Sequence, residues 1–477
     1  MTKSIALFLF FNLFFMGVWA QTSQKLTGQI IGTKNYYEYS NNSCIAVSTI
    51  PNTAFDGNLS NTFATCEVTG GWVGYDLGEP HIITRIAYAP RENQPSRMLL
   101  GLFEGANHPD FGDAIPLHLI QTTPEIRTLT WQTIHSSRGF RYVRYIGPAN
   151  AKCNVAELEF HGYKGAGNNL TFPKTTNLAT VIIHTTNAED IVVKDTYIKG
   201  IISVINENGT SIYTDSLEIK GRGNVSWEFP KKPYRLKLYN KTNLLGLPAK
   251  EKNWTLINNY GDKTLMRNLL AFHISRSVDI SYTPAGIPVD VFLNGEYKGT
   301  YQLCDQLEVA PERVIVEKMR TTDIVAPEIT GGYLIEMDAY ANREISWFTS
   351  AQNQIPVTIK YPKDDEIVPQ QSAYIKAHFE AMEAAINAPN YADNTHGFRR
   401  LFDVDTFLRH FLVGELSGNT DTYWSTYMYK KRNDSKFYFG PVWDFDIAFE
   451  NDFRTFPINS NPEWIYNSKG SAANGVR

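Results

Sequence analysis

The chain has 477 residues and a formal net charge of −4 at pH 7. That length suits two or three domains of roughly 100–200 residues each. A hydrophobic fraction of 43% and a charged fraction of 20% are ordinary for a folded globular protein. The slightly acidic balance provides no basic surface for nucleic acid or an anionic membrane, so we expect neither as a partner.

The first 20 residues have the pattern of a secretory signal peptide. Lys3 precedes a mostly apolar, uncharged run from Ile5 to Val18, and the small residue Ala20 closes the segment. The run is shorter than the about 20 apolar residues that a membrane-spanning helix needs, and no later stretch is long and apolar enough to span a bilayer. We predict cleavage near Ala20 and a secreted or cell-surface protein.

The four cysteines do not have the spacing of a zinc site. Cys44, Cys66 and Cys153 lie in the first third of the chain, whereas Cys304 stands apart. Because export permits oxidation, one disulfide is expected among the first three. The sequence leaves its pairing open.

Residues 26–163 contain short apolar runs separated by Gly, Pro and Asn, without a helical period. This spacing predicts a β-sandwich. Four segments resemble the discoidin, or coagulation factor 5/8 type C, fold: Ala54–Asn58, Trp72–Gly78, Arg141–Tyr145 and Ala156–Phe160. The resemblance implies a discoidin-like jelly roll that binds a glycan through loops at one end. The alternative is a sandwich that only spaces the next domain.

Residues 164–177 are rich in Gly, Asn, Pro and Thr, and we predict a linker there. Residues 178–477 then have a strand-rich first half followed by helices, which predicts an α+β domain. The predicted strands are Thr180–His184, Ile198–Ile205, Ser216–Lys220, Tyr234–Leu238, Val289–Leu293, Lys298–Leu303 and Gly332–Met337. The predicted helices are Asp262–Ser277, Gln370–Ala388 and Asp403–Ser417, the last with Phe407, Phe411 and Leu412 facing inward. No closing helix follows the acidic stretch described next, so we expect this domain to be truncated at its C-terminus.

The stretch 421–449 carries the densest group of candidate functional residues. Asp421 follows a predicted helix, a β-hairpin spans Ser425–Phe439, and Asp444 and Asp446 come directly after it. A hairpin returns the chain to its starting point, so the three carboxylates are expected at one end. Because like charges repel, such a group must hold a cation, share a proton or meet a basic partner.

Two chemistries compete for these acids. A carboxylate pair with separated pKa values would serve a glycoside hydrolase, whereas short aspartate ligands suit Mg²⁺. In kinases, a strand lysine, a loop aspartate, a hairpin and a metal-binding aspartate follow one another. This chain has that order in Lys237, Asp421, the hairpin and Asp444, which favours phosphoryl transfer.

Five motifs of the second domain resemble the CotH (spore-coat protein H) kinase family. They are Gly221–Trp227, Lys231–Lys237, Asp262–Asn268, Asn294–Gly299 and Gly440–Asp446, and the resemblance covers about residue 179 to the end. It implies an atypical protein-kinase-like fold that uses ATP with Mg²⁺ or Mn²⁺. Its substrates would be Ser and Thr hydroxyls of extracytoplasmic or surface proteins.

The resemblance also assigns roles to single residues. Asp421 would orient the substrate hydroxyl, Lys237 would bind phosphates, and Asp444 and Asp446 would hold the metal. The other nucleotide contacts would come from the backbone of a Gly-rich loop and from a strand end beside the adenine: Gly221, Arg222, Gly223, Asp305 and Gln306.

Two positions depart from the kinase pattern. Thr426 stands five places after Asp421, where kinases have a metal-binding Asn, and Asn419 lies nearby. The helix predicted at 262–277 has no Glu to pair with Lys237, which leaves Glu336 or another acid for that task. The rival hypotheses are therefore an inactive nucleotide-binding pseudokinase or surface adhesin and, less directly, a carbohydrate-active hydrolase.

Overall fold

The computed structural model describes residues 22–174, 176–452 and 464–465. The predicted signal peptide and its cleavage point lie outside the described residues. The chain divides between Pro173 and Lys174 into two compact units. This division falls inside the stretch predicted to be a linker, and each unit is described by itself.

The first unit is a β-structure. Its strands are β1 (Gln24–Lys25), β2 (Gln29–Gly32), β3 (Asn35–Glu38), β4 (Ser43–Ala46), β5 (Trp72–Ala89), β6 (Leu102–Ala106), β7 (Ile115–Leu119), β8 (Thr130–Thr133), β9 (Gly139–Ile146) and β10 (Glu157–Lys164). The main sheet has the order β1-β10-β5-β9-β6-β7, with β2 and β8 also paired to β5. Strands β3 and β4 form a separate hairpin.

Strand β5 organises this unit because it pairs with four neighbours. Its ladder to β9 has a register shift between Asp76 and His81, so the two halves of β5 can serve different partners. The first half pairs with β2 and the second half with β8. Aromatic side chains such as Phe103 and Phe140 are fully buried, and the predicted β-rich, jelly-roll-like unit is confirmed. The disulfide joins Cys44 to Cys66.

The second unit begins with a closed seven-stranded barrel. Its strands are β11 (Ala179–Thr185), β12 (Ile198–Ile205), β13 (Ser211–Gly221), β14 (Tyr234–Thr242), β15 (Glu251–Ile257), β16 (Gly286–Leu293) and β17 (Glu296–Asp305). They close in the order β11-β12-β13-β14-β15-β17-β16. Alternate side chains point inward, and Leu236, Trp254 and Leu303 are fully buried.

A five-stranded sheet and four helices complete this unit in the described ranges. The strands β18 (Tyr333–Met337), β19 (Trp347–Thr349), β20 (Pro356–Tyr361), β21 (Thr426–Lys430) and β22 (Phe437–Phe439) lie in the order β19-β20-β18-β21-β22. The helices are α1 (Val225–Glu228), α2 (Arg267–Ser277), α3 (Pro369–Asn387) and α4 (Val404–Ser417). Helix α3 packs on one face of the sheet through Ile375 and Phe379. Among the described helices, none has the length and apolarity needed to cross a membrane.

Two helix predictions need correction. Helix α2 begins at Arg267, and the buried Asp262 accepts the backbone N–H of Arg267 at 2.9 Å from outside the helix. In α4 the predicted inward Leu412 is 45% exposed. Gly414 lies on the buried face instead. A Cβ at this position would come within 2.2 Å of the Thr422 side chain, so glycine permits the close approach of the following turn.

Candidate functional site

The structure brings the three predicted acids together at the end of the β21–β22 hairpin. Asp421 lies in the turn between α4 and β21, and Asp444 and Asp446 follow β22. The buried Asn419 joins the two segments: its Oδ1 accepts the N–H of Asp421 at 3.3 Å, and its Nδ2 donates to the carbonyl of Asp444 at 3.0 Å. Ser425 adds a 3.4 Å hydrogen bond from its hydroxyl to Oδ2 of Asp444.

The acids raise one another's pKa. Burial among protein atoms and the charge of Asp446 raise the pKa of Asp444 to about 7, and Arg222 opposes this rise. Asp444 is nonetheless exposed to solvent. Burial and the charge of Asp421 also raise the pKa of Asp446. Negative charge is thus concentrated where solvent can enter.

This donor set fits a hard cation that keeps water and phosphate ligands. In the described ranges, no three His, Cys, Asp or Glu side chains gather closely enough to form a metal cage by themselves. Mg²⁺ commonly uses one or two carboxylates together with substrate phosphates and water. Asp446 and Asp421 repel the charged form of Asp444, and a bound cation would relieve this repulsion.

The basic side chain beside these acids is Arg222. Its guanidinium lies 5.6 Å from the centre of the Trp443 ring, next to Asp444 in the chain. Its charge lowers the pKa of Asp444 against the other influences on that carboxyl group. Arg222 therefore places a permanent positive charge beside the acids.

Two backbone amides of the Gly-rich loop already have hydrogen-bond partners within the protein. The N–H groups of Gly221 and Arg222 already donate to the carbonyls of Val193 and Pro233, at 3.1 and 3.2 Å. These two amides are therefore not offered to a phosphate. A Cβ on Gly221 would come within 2.4 Å of the Trp227 ring, so this glycine permits close packing.

Lys237 lies on the outer face of β14, between the buried Leu236 and Leu238. Its Nζ lies 2.7 Å from Glu218 of strand β13, and this hydrogen bond raises the pKa of Lys237. Its Nζ also lies 5.6 Å from the centre of the Tyr197 ring. The structure thus provides this lysine with a carboxylate partner on the neighbouring strand.

Two further basic residues lie on the same strands as Glu218 and Lys237, two positions nearer to Arg222 along β13. Lys220 and Arg235 are directly opposite each other on β13 and β14. Burial and the like charge of Arg235 lower the pKa of Lys220, and Nε of Arg235 is buried without a hydrogen-bond partner in the described structure. The sequence pattern shows Arg235 and Lys237 as equivalent outward positions, and only the register separates them.

Asp305, predicted to lie beside the adenine, is a buried residue at the end of β17. It is 2% exposed and accepts hydrogen bonds from the Ala285 N–H at 2.9 Å and the Tyr282 hydroxyl at 3.2 Å. The buried guanidinium of Arg313 lies 3.2 Å from its carboxylate. The neighbouring Gln306 donates to the carbonyl of Leu307 at 3.2 Å. Asp305 therefore belongs to a buried ion pair.

Glu336, named as a possible partner of Lys237, pairs with Lys360 of strand β20 at 2.9 Å. Burial alone would lower the pKa of Lys360, but Glu336 and Glu344 outweigh it and raise that pKa. The Tyr427 hydroxyl is also hydrogen-bonded to Glu336. Because the charge of Glu336 raises the pKa of Asp444, this pair lies within electrostatic reach of the acids.

The comparisons identify the class of this unit. The chain belongs to the CotH kinase protein family, whose model matches residues 219–473, more than half of the chain. Comparison with curated proteins finds no match.

The solved structures that match cover the N-terminal part. CBM62 from Clostridium thermocellum Xyl5A is 41% identical over 30% of this chain and 99% of that chain, with a TM-score of 0.27. CpGH89CBM32-6, produced by Clostridium perfringens, is 19% identical over 29% of this chain and 93% of that one, with a TM-score of 0.22. CBM32 of AlyQ in complex with 4,5-unsaturated mannuronic acid is 16% identical over 29% of this chain and 97% of that chain, with a TM-score of 0.22.

Proposed function

We propose that this chain is an exported atypical protein kinase that transfers phosphate from ATP to Ser or Thr hydroxyls of extracytoplasmic or surface proteins. The observation that carries the proposal is the convergence of Asp421, Asp444 and Asp446 beside Arg222. Membership of the CotH kinase protein family supports it. The signal-peptide pattern of the first 20 residues supports export.

Each acid has a distinct task in this proposal. Asp444 and Asp446 would hold Mg²⁺ or Mn²⁺, which neutralises charge on the transferring phosphoryl group when it is bound. Asp421 lies on the adjacent turn, where it would orient the substrate hydroxyl and accept its proton. Since in-line phosphoryl transfer depends on position and electrostatics, carboxylates held by neighbouring segments suit it.

The phosphates would meet Arg222 first and the Lys220–Arg235 pair next. Two like charges on opposing strands repel, and the repulsion already lowers the pKa of Lys220. An anion placed between them would remove that repulsion and satisfy the unpaired Nε of Arg235. A hydrolase that uses two acids has no need of these cations, which favours phosphoryl transfer over that rival.

The direct test incubates the full chain with labelled ATP, Mg²⁺ or Mn²⁺ and a mixture of secreted proteins. We expect label on Ser or Thr and its loss when the metal is removed with EDTA. ATP binding without transfer would support the pseudokinase instead. Absence of both binding and transfer would refute the kinase proposal.

Substitution on β14 distinguishes the two candidate phosphate-binding residues. Arg235→Met is expected to raise the KM for ATP about tenfold, because a charge-assisted hydrogen bond is worth roughly 1.5–3 kcal/mol. Lys237→Met is the matched control, since it removes a cation from the same face of the same strand. Because Lys237 forms only a half-exposed pair with Glu218, we expect Lys237→Met to change the KM for ATP by less than about twofold. The reverse ranking would restore Lys237 as the phosphate ligand.

We further propose that the first unit binds a glycan. A cluster of the half-buried Tyr39 and Arg91 with the buried Asn154 supports this role. Asn154 Nδ2 donates to the Tyr39 hydroxyl at 2.6 Å, and Arg91 donates to the same hydroxyl at 3.0 Å. The Arg91 guanidinium also lies 4.4 Å from the Tyr39 ring centre. An aromatic face with fixed polar groups can take both the apolar and the hydroxyl-bearing sides of a sugar.

Arg91→Ala is expected to weaken glycan binding at least about tenfold by removing one charge-assisted contact. The control is Arg127→Ala, which loses only the surface pair with Glu92. Glycan-array binding of the full chain measures both. Equal binding by the two variants would place the glycan site elsewhere, and silence of the unmodified chain would remove the glycan-binding proposal.

A further inference from the structure

The peptide groups of the segment Asp444-Phe445-Asp446 are bound by three asparagine side chains from three parts of the second unit. Asn419 Nδ2 donates to the carbonyl of Asp444 at 3.0 Å. Asn268 Oδ1 accepts the N–H of Phe445 at 2.9 Å. Asn451 Nδ2 donates to the carbonyl of Asp446 at 2.8 Å.

The segment needs such support because of its backbone conformation. Asp444 has a φ of 58°, in the left-handed region that non-glycine residues enter at an energetic cost. A conformation of this kind persists when the surrounding structure determines it. The three amides supply a directed hydrogen bond to each successive residue, and they aim the two carboxylates by holding the backbone between them.

The support extends beyond the segment. Asn268 is 4% exposed on helix α2, and its Nδ2 donates to Oδ1 of Asn259 at 3.0 Å. Asn259 donates in turn to Oε1 of Gln302 on barrel strand β17 at 3.4 Å. Asn451 also donates to the carbonyl of Gly261 at 3.1 Å. The acid segment is therefore connected to the barrel through buried amides.

We propose that Asn268, Asn419 and Asn451 are positioning residues that set the geometry of the Asp444–Asp446 pair for a divalent cation. This inference rests on the proposed function. None of the three amides needs to touch the cation, because they act through the backbone that carries its ligands. Outer partners of this kind orient metal ligands and influence affinity.

The test measures Mn²⁺ affinity of the full chain by electron paramagnetic resonance. Asn268→Ala, Asn419→Ala and Asn451→Ala are each expected to weaken binding about tenfold or more. The matched control is Asn243→Ala, because the Asn243 side chain also donates to two backbone carbonyls, those of Leu247 and Pro248. The control should keep wild-type affinity.

Amide exchange gives a readout that does not depend on metal. The Phe445 N–H should exchange at least about tenfold faster in Asn268→Ala than in wild type or Asn243→Ala, because its acceptor is gone. If the wild-type chain binds no Mn²⁺, the metal assignment of the proposed function fails and the exchange rates decide whether the segment is held in this way.

The proposal is overturned if folded variants retain Mn²⁺ affinity within twofold of wild type, or if Phe445 exchange is equal in Asn268→Ala and Asn243→Ala. Asn268 and Asn419 are buried, so their variants can fail to fold. Asn451 is only half-buried, and its variant then provides the affinity comparison.

Discussion

Asp444→Asn is expected to reduce phosphate transfer from ATP by at least about 10²–10³-fold, the range for loss of one group that stabilises transition-state charge. Asp444 is the solvent-exposed acid on which the charges of Asp446, Glu336 and Asp421 act together. Asparagine keeps the size of the side chain but removes the charge that would hold the cation. Initial rates with saturating ATP and Mn²⁺ measure the effect.

Asp421→Asn should lower the rate similarly while leaving Mn²⁺ affinity within about threefold, because its proposed task is to orient the hydroxyl rather than to bind metal. The matched control is Asp405→Asn in helix α4. The Asp405 side chain is 81% exposed and forms only a 3.7 Å surface pair with Arg409. Label transfer that survives both Asp444→Asn and Asp421→Asn would refute the kinase mechanism.

Arg313→Met is expected to destabilise the second unit by about 3–5 kcal/mol, the usual result of breaking a buried ion pair on one side. Arg313 is 0% exposed at its side chain and lies 3.2 Å from Asp305 and 2.6 Å from Glu308. It also donates to the carbonyl of Asn253 at 2.8 Å. Without the guanidinium, two largely buried carboxylates would lack their cation.

Urea unfolding of the full chain, followed at the transition of the second unit, measures this change. The control is Lys376→Met on helix α3, which removes a surface pair with Glu380 at 3.7 Å. It should cost no more than about 1 kcal/mol. If Arg313→Met lowered the free energy of unfolding by less than about 1 kcal/mol, the structural role of the buried Asp305 ion pair would be contradicted. Unchanged ATP affinity in the folded fraction would agree with that structural role.

The sequence predicted the large elements of the second unit because their patterns are strong and local. The strand Ile198–Ile205 was predicted with the bounds that the structure has, and helix α3 differs by one residue at each end from the predicted Gln370–Ala388. Turn signals in the hairpin likewise placed β21 and β22 within a few residues. The meeting of Asp421 with Asp444 followed from that hairpin.

The partners of the predicted nucleotide-binding residues were less predictable because they depend on cross-strand register and tertiary packing. Alternation shows that Arg235 and Lys237 both point outward, but it does not show that Lys237 faces Glu218 while Arg235 faces Lys220. The ion pair of Asp305 joins residues eight positions apart, a separation with no regular pattern. Neither arrangement leaves a trace in local composition.

Sequence patterns alone were enough to predict the two-part organisation, the β-rich first unit, the CotH family motifs and the grouping of three acids around a hairpin. These features follow from periodicity, turn chemistry and motif order, which are local properties of the chain. The closure of the barrel, the pairing of Glu336 with Lys360 and the binding of the acid segment by three asparagines became apparent only from the three-dimensional fold. Packing and strand register select these partners, and even the contact between Asn451 and Asp446, five residues apart, follows no regular sequence pattern.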